Sequence, residues 1–183
     1  MILFINTCVR PASRTLWLAQ RVLERIKGDR EILEIKPDNT PLDYSMLEYR
    51  TKLSEREDFS DPLFNDAKIF SEAEEILIAA PFWDLSFPAI LKNYIEAINI
   101  VGLTFKYLPD GQPLGLCKAK RLIYVTTAGG KIFNEAYGYG YIKDLAENFY
   151  GIPIVKLIKA EGLDIIGANV TEILNDAEKN IAL

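Results

Sequence analysis

Residues 75–101 read EILIAAPFWDLSFPAILKNYIEAINIV and contain a strand, a loop and a helix in succession. Glu75–Ala80 is a continuous apolar run of strand length that Pro81 ends, which predicts a strand buried on both faces of a sheet. Pro88 suits the first turn of a helix, and apolar side chains recur at helical spacing from there to Val101. A buried strand followed by an amphipathic helix is the repeating unit of a parallel α/β sheet.

The same alternation continues in both directions along the chain. Four further strands are predicted at Ile2–Ile5, Glu31–Ile35, Arg121–Thr126 and Ile154–Ile158, and further helices at Arg14–Ile26, Tyr141–Phe149 and about Ile166–Ile181. The charged segment Tyr44–Ala73 predicts one or two surface helices interrupted near Pro62. We therefore expect a three-layer, doubly wound α/β fold, with five parallel strands and helices on both faces, and with residues 1–183 as a single domain.

The composition excludes several classes of function. The chain has no histidine, which removes Ser-His-Asp and Cys-His catalysis and His-ligated zinc, so any chemistry must use other side chains or a cofactor. The net charge of −5 and the lack of a basic run argue against nucleic acid as a partner. Cys8 and Cys117 have no metal-binding spacing, no metal site is expected, and no apolar stretch is long enough to span a membrane. The absence of a leader-like start predicts a reduced, cytoplasmic protein.

Three loops are predicted at the carboxyl ends of strands, where doubly wound sheets bind ligands. In the first loop, TCVRPASRT at 7–15, Ser13 and Thr15 lie at the start of a helix, where free N–H groups and hydroxyls suit a phosphate. The loop lacks GxGxxG and GxxxxGK[ST], so a monophosphate is favoured over a dinucleotide. The alternative is that Ser13 only caps its helix.

The second and third loops complete the predicted site. PFWDLSFP at 81–88 places aromatic side chains where they could cover a flat heterocycle, although core packing or a subunit contact would use them equally well. TTAGG at 126–130 offers hydroxyls and two glycines whose backbone can approach a ligand, or it is a plain turn. Together, a phosphate cradle, an aromatic wall and a backbone-lined rim favour flavin mononucleotide (FMN) over a sugar.

The order and spacing of three segments identify a family resemblance. PFWDLSFPAILKNYIEAINIVGLTFKYLPDGQPLGL at 81–116, RLIYVTTAGG at 121–130 and KAEGL at 159–163 resemble the FMN-dependent NADH-azoreductases and quinone reductases of the flavodoxin-like proteins. The resemblance implies an FMN enzyme that passes hydride from NADH or NADPH to a quinone or azo compound in a ping-pong cycle, and a homodimer with its sites near the interface. It places the chemistry on the flavin, so that no catalytic side chain is expected.

The resemblance also implies which residues surround FMN. Cys8, Ser13, Arg14 and Thr15 are expected near the phosphate and ribityl chain; Pro81, Phe82, Trp83, Asp84 and Leu85 near the isoalloxazine ring; and Thr127, Ala128, Gly129 and Gly130 along its other edge. Four of these positions depart from the usual pattern, since Cys8 replaces serine, Asp84 asparagine, Leu85 phenylalanine and Ala128 arginine. A carboxylate at Asp84 would oppose negative charge on a reduced flavin and lower its potential, unless it faces solvent or pairs with Lys92 or Arg14.

The electron acceptor is expected to contact aromatic residues outside these loops. Phe105 and Tyr107 lie in the turn-rich segment 102–117, and Tyr137 begins the aromatic series completed by Tyr139 and Tyr141. Local packing would explain the first two equally well, and the tyrosine series is either a mobile lid or a surface loop. A flavodoxin-like electron carrier and a flavin-free regulatory domain remain the competing functions.

Overall fold

The computed structural model describes residues 1–183 and contains seven strands and six α-helices. The strands are β1 (Ile2–Asn6), β2 (Ile32–Ile35), β3 (Glu75–Ala79), β4 (Phe105–Tyr107), β5 (Pro113–Gly115), β6 (Arg121–Thr127) and β7 (Ile154–Ala160). The helices are α1 (Arg14–Ile26), α2 (Tyr44–Glu55), α3 (Asn65–Glu72), α4 (Ala89–Ile98), α5 (Tyr141–Leu145) and α6 (Val170–Lys179).

Five strands form one parallel sheet in the order β2-β1-β3-β6-β7, which confirms the doubly wound α/β prediction. The chain leaves β1 toward β2 on one side and returns to β3 on the other, so the strand order reverses between β1 and β3. The loops that follow these two strands diverge at that point and leave a crevice at the carboxyl edge of the sheet.

Alternate side chains of the central strands enter two separate cores. Leu3, Ile5, Ile76 and Ile78 lie in the core beneath α3, α4 and α5, whereas Ile2, Phe4 and Leu77 lie in the core beneath α1 and α6. Every residue of β1 and β3 is buried, because a parallel strand covered on both faces has no solvent side. The continuous apolar runs of the sequence follow from this arrangement.

The structure corrects the prediction for the charged segment 44–73. Helix α2 is a surface helix with no buried residue, but α3 is not, since Ala67 and Phe70 are buried against the first core, as is Phe64 just before the helix. A 3-10 turn at Pro62–Phe64 separates the two helices, and the Asp61 side chain caps it by accepting from the backbone N–H of Leu63. Few apolar residues suffice for burial here because they fall on one side of a short helix.

Two other segments differ from expectation. The turn-rich segment 102–117 contains an antiparallel hairpin, in which Phe105 pairs with Gly115 and Tyr107 with Pro113. The tyrosine series is not a loop, because residues 136–150 form one helical segment in which wider π-helical turns flank α5. The last helix is shorter than predicted, since turns occupy the residues just before Val170. No helix of the structure combines the length and the apolar character that a membrane span requires.

Candidate functional site

A cavity of about 330 Å³ opens at the carboxyl edge of the sheet, where the strand order reverses. All three predicted loops contribute to it. Its wall consists of Val9, Arg10, Ala12, Ser13, Arg14, Thr15, Pro81, Phe82, Trp83, Thr127, Ala128, Gly129, Leu163 and Asp164. The volume falls within the range of small-molecule sites, so the crevice can hold a ligand of cofactor size.

The first loop presents the N-terminus of α1 to this cavity. Ser13 is the N-cap, and its Oγ accepts a hydrogen bond of 3.2 Å from the N–H of Leu16. The N–H groups of Arg14 and Thr15 have no acceptor within the protein, as expected in a first helical turn. These free donors and the positive end of the helix dipole favour an anion at this end of the cavity. Ser13 therefore caps α1 and also lines a potential phosphate site.

The second loop is a tight two-residue turn. Trp83 and Ser86 exchange two backbone hydrogen bonds of 3.0 and 2.8 Å, and the intervening Asp84 and Leu85 have φ of 50° and 68°. Positive φ at both central residues is typical of a type I′ turn, which glycine and asparagine favour and leucine does not. The Ser86 hydroxyl donates to the carbonyl oxygen of Tyr137 at 2.5 Å, which joins the turn to the helical segment 136–150.

The third loop is fixed on both sides by hydrogen bonds. The N–H of Phe82 donates to the carbonyl oxygen of Thr127, which ties the second loop to the third. Thr127 Oγ1 lies 2.6 Å from Thr15 Oγ1, which ties the third loop to the first. The N–H groups of Gly129 and Gly130 have no protein acceptor and remain available to a ligand.

An ion pair and a cation-π contact define the charge of the cavity wall. Arg14 Nη1 donates to Asp164 Oδ1 at 2.7 Å and also contacts the carbonyl oxygen of Leu163. Asp164 crowds Gly129, where a Cβ would lie 2.2 Å from Asp164 Oδ2, so a larger residue there would displace the Asp164 side chain. Across the cavity, the guanidinium of Arg10 lies 5.6 Å from the centroid of the Trp83 ring. The wall thus holds two arginines against one carboxylate.

The structure brings together nine of the thirteen residues expected around the cofactor. They are Ser13, Arg14, Thr15, Pro81, Phe82, Trp83, Thr127, Ala128 and Gly129. Cys8 lies outside the cavity wall, with its Sγ 3.8 Å from the carbonyl oxygen of Ala79, and burial raises the pKa of its thiol. Asp84, Leu85 and Gly130 lie exposed beside the wall rather than in it.

The alternative in which Asp84 pairs with Lys92 or Arg14 is wrong. Arg14 pairs with Asp164, and Lys92 pairs with Glu96, so neither cation neutralises the carboxylate of Asp84. The side chain is exposed at the tip of the turn. The carboxylate of Asp84 therefore faces solvent, as the other alternative predicts, and solvent screens its charge.

The structure does not bring the predicted acceptor residues to the cavity within one chain. Phe105 is 6% exposed and packs edge-on against the rings of Tyr107 and Phe149. Tyr107 is exposed on the hairpin. Tyr137 is exposed next to the second loop, whereas the Tyr139 hydroxyl donates to the carbonyl oxygen of Val155 and the Tyr141 ring packs against Phe87.

Five residues of the wall were missed by the sequence analysis. Val9, Arg10 and Ala12 lie in the first loop between Cys8 and Thr15, which are residues of the predicted site. Their position in that loop was the signal that could have identified them. Leu163 and Asp164 follow β7, which was predicted as a strand, but the loop after it was not part of the predicted site because β7 lies away from the switch point. Backbone hydrogen bonds from Leu163 to Ala128 and from Asp164 to Gly129 bring this loop beside the third. The carboxyl end of β7 was the signal available in the sequence.

The residues present fit FMN. Unpaired N–H donors and Arg14 at one end suit a phosphate, and Phe82 and Trp83 at the other suit a flat aromatic ring. The orphan N–H groups of Gly129 and Gly130 suit carbonyl or ring-nitrogen acceptors at the third loop. The arrangement thus offers donors to an anion and an apolar surface to a heterocycle in one crevice.

Comparisons with known proteins identify the family of this chain. A family model described as a flavodoxin-like fold matches residues 1–182. An FMN-dependent NADH:quinone oxidoreductase of Clostridium perfringens (strain SM101) is 33% identical over 180 residues, which cover 93% of this chain and 90% of that protein. A protein of the same name from Clostridium beijerinckii is 32% identical and covers 96% of this chain and 93% of its own length.

Solved structures show the same fold. An azoreductase from Bacillus anthracis superposes with a TM-score of 0.84 at 23% identity, covering 97% of this chain and 94% of that one. An FMN-dependent NADH-azoreductase from Bacillus anthracis, solved in complex with FMN, superposes with a TM-score of 0.76 at 22% identity, covering 97% and 93% of the two chains. The chain belongs to the family of flavodoxin-like proteins that includes the FMN-dependent NADH:quinone oxidoreductases.

Proposed function

We propose that this chain is an FMN-dependent oxidoreductase that passes two electrons from NADH or NADPH to quinones, azo compounds or both. The single observation that carries the proposal is the cavity at the switch point, where a phosphate-binding helix terminus and an aromatic loop face one crevice. The names of the relatives support the same chemistry. We treat residues 1–183 as one FMN-binding domain.

The protein's part in the reaction is to bind FMN and to orient it. Ser13, Arg14 and Thr15 would hold the phosphate through their N–H groups, a hydroxyl and a guanidinium. Phe82 and Trp83 would hold the ring and keep water from one side of it. Bound FMN supplies the atoms that accept and donate hydride, which a chain without histidine does not provide itself.

The proposal includes a ping-pong order, which a shared crevice would support. A single crevice, which Phe82 and Trp83 line, would give both reactants access to the bound flavin. NADH and the acceptor would therefore occupy the same position in turn. Initial-rate lines at several fixed acceptor concentrations should be parallel in a double-reciprocal plot. Intersecting lines would contradict the alternating order.

The surface supports a homodimer. Helix α2 has no buried residue, yet Tyr44, Leu47 and Tyr49 are apolar or aromatic and at least 43% exposed. Tyr107 on the hairpin is 55% exposed, and Leu85 at the second loop is 59% exposed. Burying these side chains against a second copy would bring a partner close to the cavity mouth. Light scattering should give a molar mass of twice 20.7 kDa, and the Leu47→Glu variant should have a lower molar mass because the dimer dissociates.

A cytoplasmic location is part of the proposal. Both cysteines are free, as expected in a reducing compartment, and NADH is an intracellular reductant. Fractionation of cells that produce the protein from its own gene should recover it with cytoplasmic markers.

The test is cofactor binding followed by turnover. The purified protein should bind FMN with a stoichiometry of one, and NADH should bleach the flavin without added reductase until a quinone or azo dye reoxidises it. An electron carrier would stay yellow with NADH alone, and a flavin-free regulator would not bind FMN. Either of these results would overturn the proposed function.

A pair of arginine variants tests the placement of the phosphate. Arg14→Met should raise the Kd for FMN about tenfold or more, because a charge-assisted hydrogen bond contributes roughly 1.5–3 kcal/mol. Arg25→Met is the matched control, since Arg25 lies on the same helix and contacts only carbonyl oxygens near the end of the chain. Equal FMN affinity in both variants would show that the phosphate lies elsewhere.

A further inference from the structure

The first loop is anchored at both ends but has a free stretch between them. At its start, the N–H and the hydroxyl of Thr7 both donate to the carbonyl oxygen of Ala79, at 3.0 and 2.8 Å. At its end, Ser13 caps α1. Between these anchors, no backbone group of residues 9–12 makes a hydrogen bond within the protein. Three residues of this free stretch line the cavity, namely Val9, Arg10 and Ala12.

The last anchor before the free stretch is the side chain of Asn6, the final residue of β1. Its Oδ1 accepts from the N–H of Cys8 at 3.0 Å, and its Nδ2 donates to Glu34 Oε1 of the neighbouring strand β2 at 2.8 Å. Asn6 is 4% exposed, so water poorly replaces a bond that its amide loses. The amide thus links the edge strand β2 to the start of the first loop.

Glu34 fixes the orientation of this amide. An ionised carboxylate only accepts hydrogen bonds, so the NH₂ group of Asn6 must face Glu34 and its oxygen must face the N–H of Cys8. A rotated amide would place two donors against each other at Cys8 and two acceptors against each other at Glu34. The Cys8 end of the loop is therefore held only in the orientation that Glu34 selects.

We propose that Asn6 and Glu34 are positioning residues for FMN, which hold the first loop in the conformation that binds the phosphate end of the cofactor. The inference rests on the proposed function, which puts that phosphate at the start of α1. Neither residue lines the cavity, so both act through the backbone of Cys8 and the free stretch 9–12. Without the link this stretch takes other conformations, and the apparent affinity for FMN falls with the fraction that remains competent to bind.

Two substitutions of Glu34 separate its hydrogen bond from its charge. Glu34→Gln removes the charge but keeps an oxygen that accepts from Asn6, whereas Glu34→Ala removes both. The Kd of the full-length, FMN-free protein for FMN is measured by quenching of flavin fluorescence. It should be about three- to tenfold higher in Glu34→Ala than in Glu34→Gln, up to the worth of one hydrogen bond. The Glu34 side chain is 43% exposed, so both variants should fold. Equal Kd values in the two variants would overturn the proposal.

Exchanging the two groups should restore the link. In Asn6→Asp two carboxylates face each other, so the Kd for FMN should rise about tenfold at about pH 8. In Asn6→Asp/Glu34→Gln the new amide at position 34 donates to the new carboxylate at position 6, which still accepts from Cys8. This double variant should bind FMN within about twofold of Glu34→Gln. Asn148→Asp is the matched control, because Asn148 is exposed and does not line the cavity, and it should bind FMN as the wild type does.

The pH dependence distinguishes positioning from a general loss of structure. In Asn6→Asp, a proton shared by the two carboxylates restores the bond at about pH 5 and is lost as the pH rises to about 8. The other titratable groups at this link are Lys36, whose Nζ lies 4.0 Å from Glu34 Oε1, and Cys8, whose thiol pKa burial raises; neither side-chain type changes charge between these pH values.

The ratio of the Kd of Asn6→Asp to that of the wild type cancels the titration of the FMN phosphate itself. It should rise with pH, whereas the same ratio for the double variant should stay constant. A ratio for Asn6→Asp that is independent of pH, or a double variant that binds FMN no better than Asn6→Asp, would overturn the positioning role and leave the proposed function intact. If the wild type does not bind FMN at all, both proposals fail.

Discussion

The hydrogen bond between Thr15 and Thr127 joins two loops of the site, and its contribution to the free energy of unfolding can be measured. It joins the first and third loops with an Oγ1–Oγ1 distance of 2.6 Å, and the two residues are 1% and 8% exposed. Neither hydroxyl has another protein partner. Thr15→Val keeps the size and branching of the side chain but leaves the Thr127 hydroxyl buried and unpaired.

The expected loss of unfolding free energy is about 1–3 kcal/mol, the desolvation penalty of an unsatisfied buried polar group. For a domain of this length, each kcal/mol shifts Tm by roughly 2–4 °C, so Tm should fall by about 2–12 °C. The double variant Thr15→Val/Thr127→Val removes both hydroxyls and leaves no orphan. Its loss of unfolding free energy should be smaller than the sum of the losses in the two single variants, with a coupling energy of about 1–2 kcal/mol.

Urea denaturation of the FMN-free protein measures these differences without a contribution from cofactor binding. Thr51→Val is the control, because the Thr51 hydroxyl is exposed and bonds only the preceding helical turn. Its effect should stay within about 0.5 kcal/mol. The reasoning fails if Thr15→Val is as mild as the control, or if the two site substitutions are additive.

Three further predictions follow from the same structure. Asp84→Asn should leave the midpoint potential of bound FMN nearly unchanged, because the carboxylate that it removes is exposed beside the cavity and screened by solvent; a clear upward shift in potentiometric titration would show that the carboxylate acts on the flavin. Gly115→Ala should cost about 3 kcal/mol or more in urea denaturation, because a Cβ there would lie 2.2 Å from main-chain atoms of a neighbouring segment, whereas Gly130→Ala meets open space and should be nearly neutral. Burial raises the pKa of Cys117 to about 12 and also raises that of Cys8, so neither thiol ionises readily near pH 8. Iodoacetamide should modify both more slowly than a free thiol, Cys117 by a factor on the order of 10³, and the rate should rise with pH because only the thiolate reacts; mass spectrometry showing rapid modification of Cys117 would contradict its burial.

The sequence predicted the sheet because burial on both faces leaves a visible pattern. Ile2–Ile5 and Glu75–Ala80 are continuous apolar runs, and both became strands of the parallel sheet. Ser13 was recognised as an N-cap from its chemistry alone, and its side chain accepts the expected hydrogen bond. These features depend on residues close together in the chain, which is why local patterns predicted them.

The site was predictable only in part. The three loops could be placed because parallel strands bring their carboxyl ends to one edge, and nine of the expected residues line the cavity there. Asp164 was not predicted, since its ion pair with Arg14 spans 150 positions of sequence. Phe105 was expected near an acceptor, but it lies in a local hairpin and packs against Phe149, a residue distant in sequence, so it is buried.

The sequence by itself thus determined the order of strands and helices, the absence of histidine chemistry and the loops that meet at the switch point. Only the tertiary structure decided that α3 is buried and that Asp164 restrains Arg14. The physical reason is that periodicity and capping act over a few residues, whereas ion pairs, cavities and close approaches such as that of Gly129 to Asp164 depend on how distant segments pack.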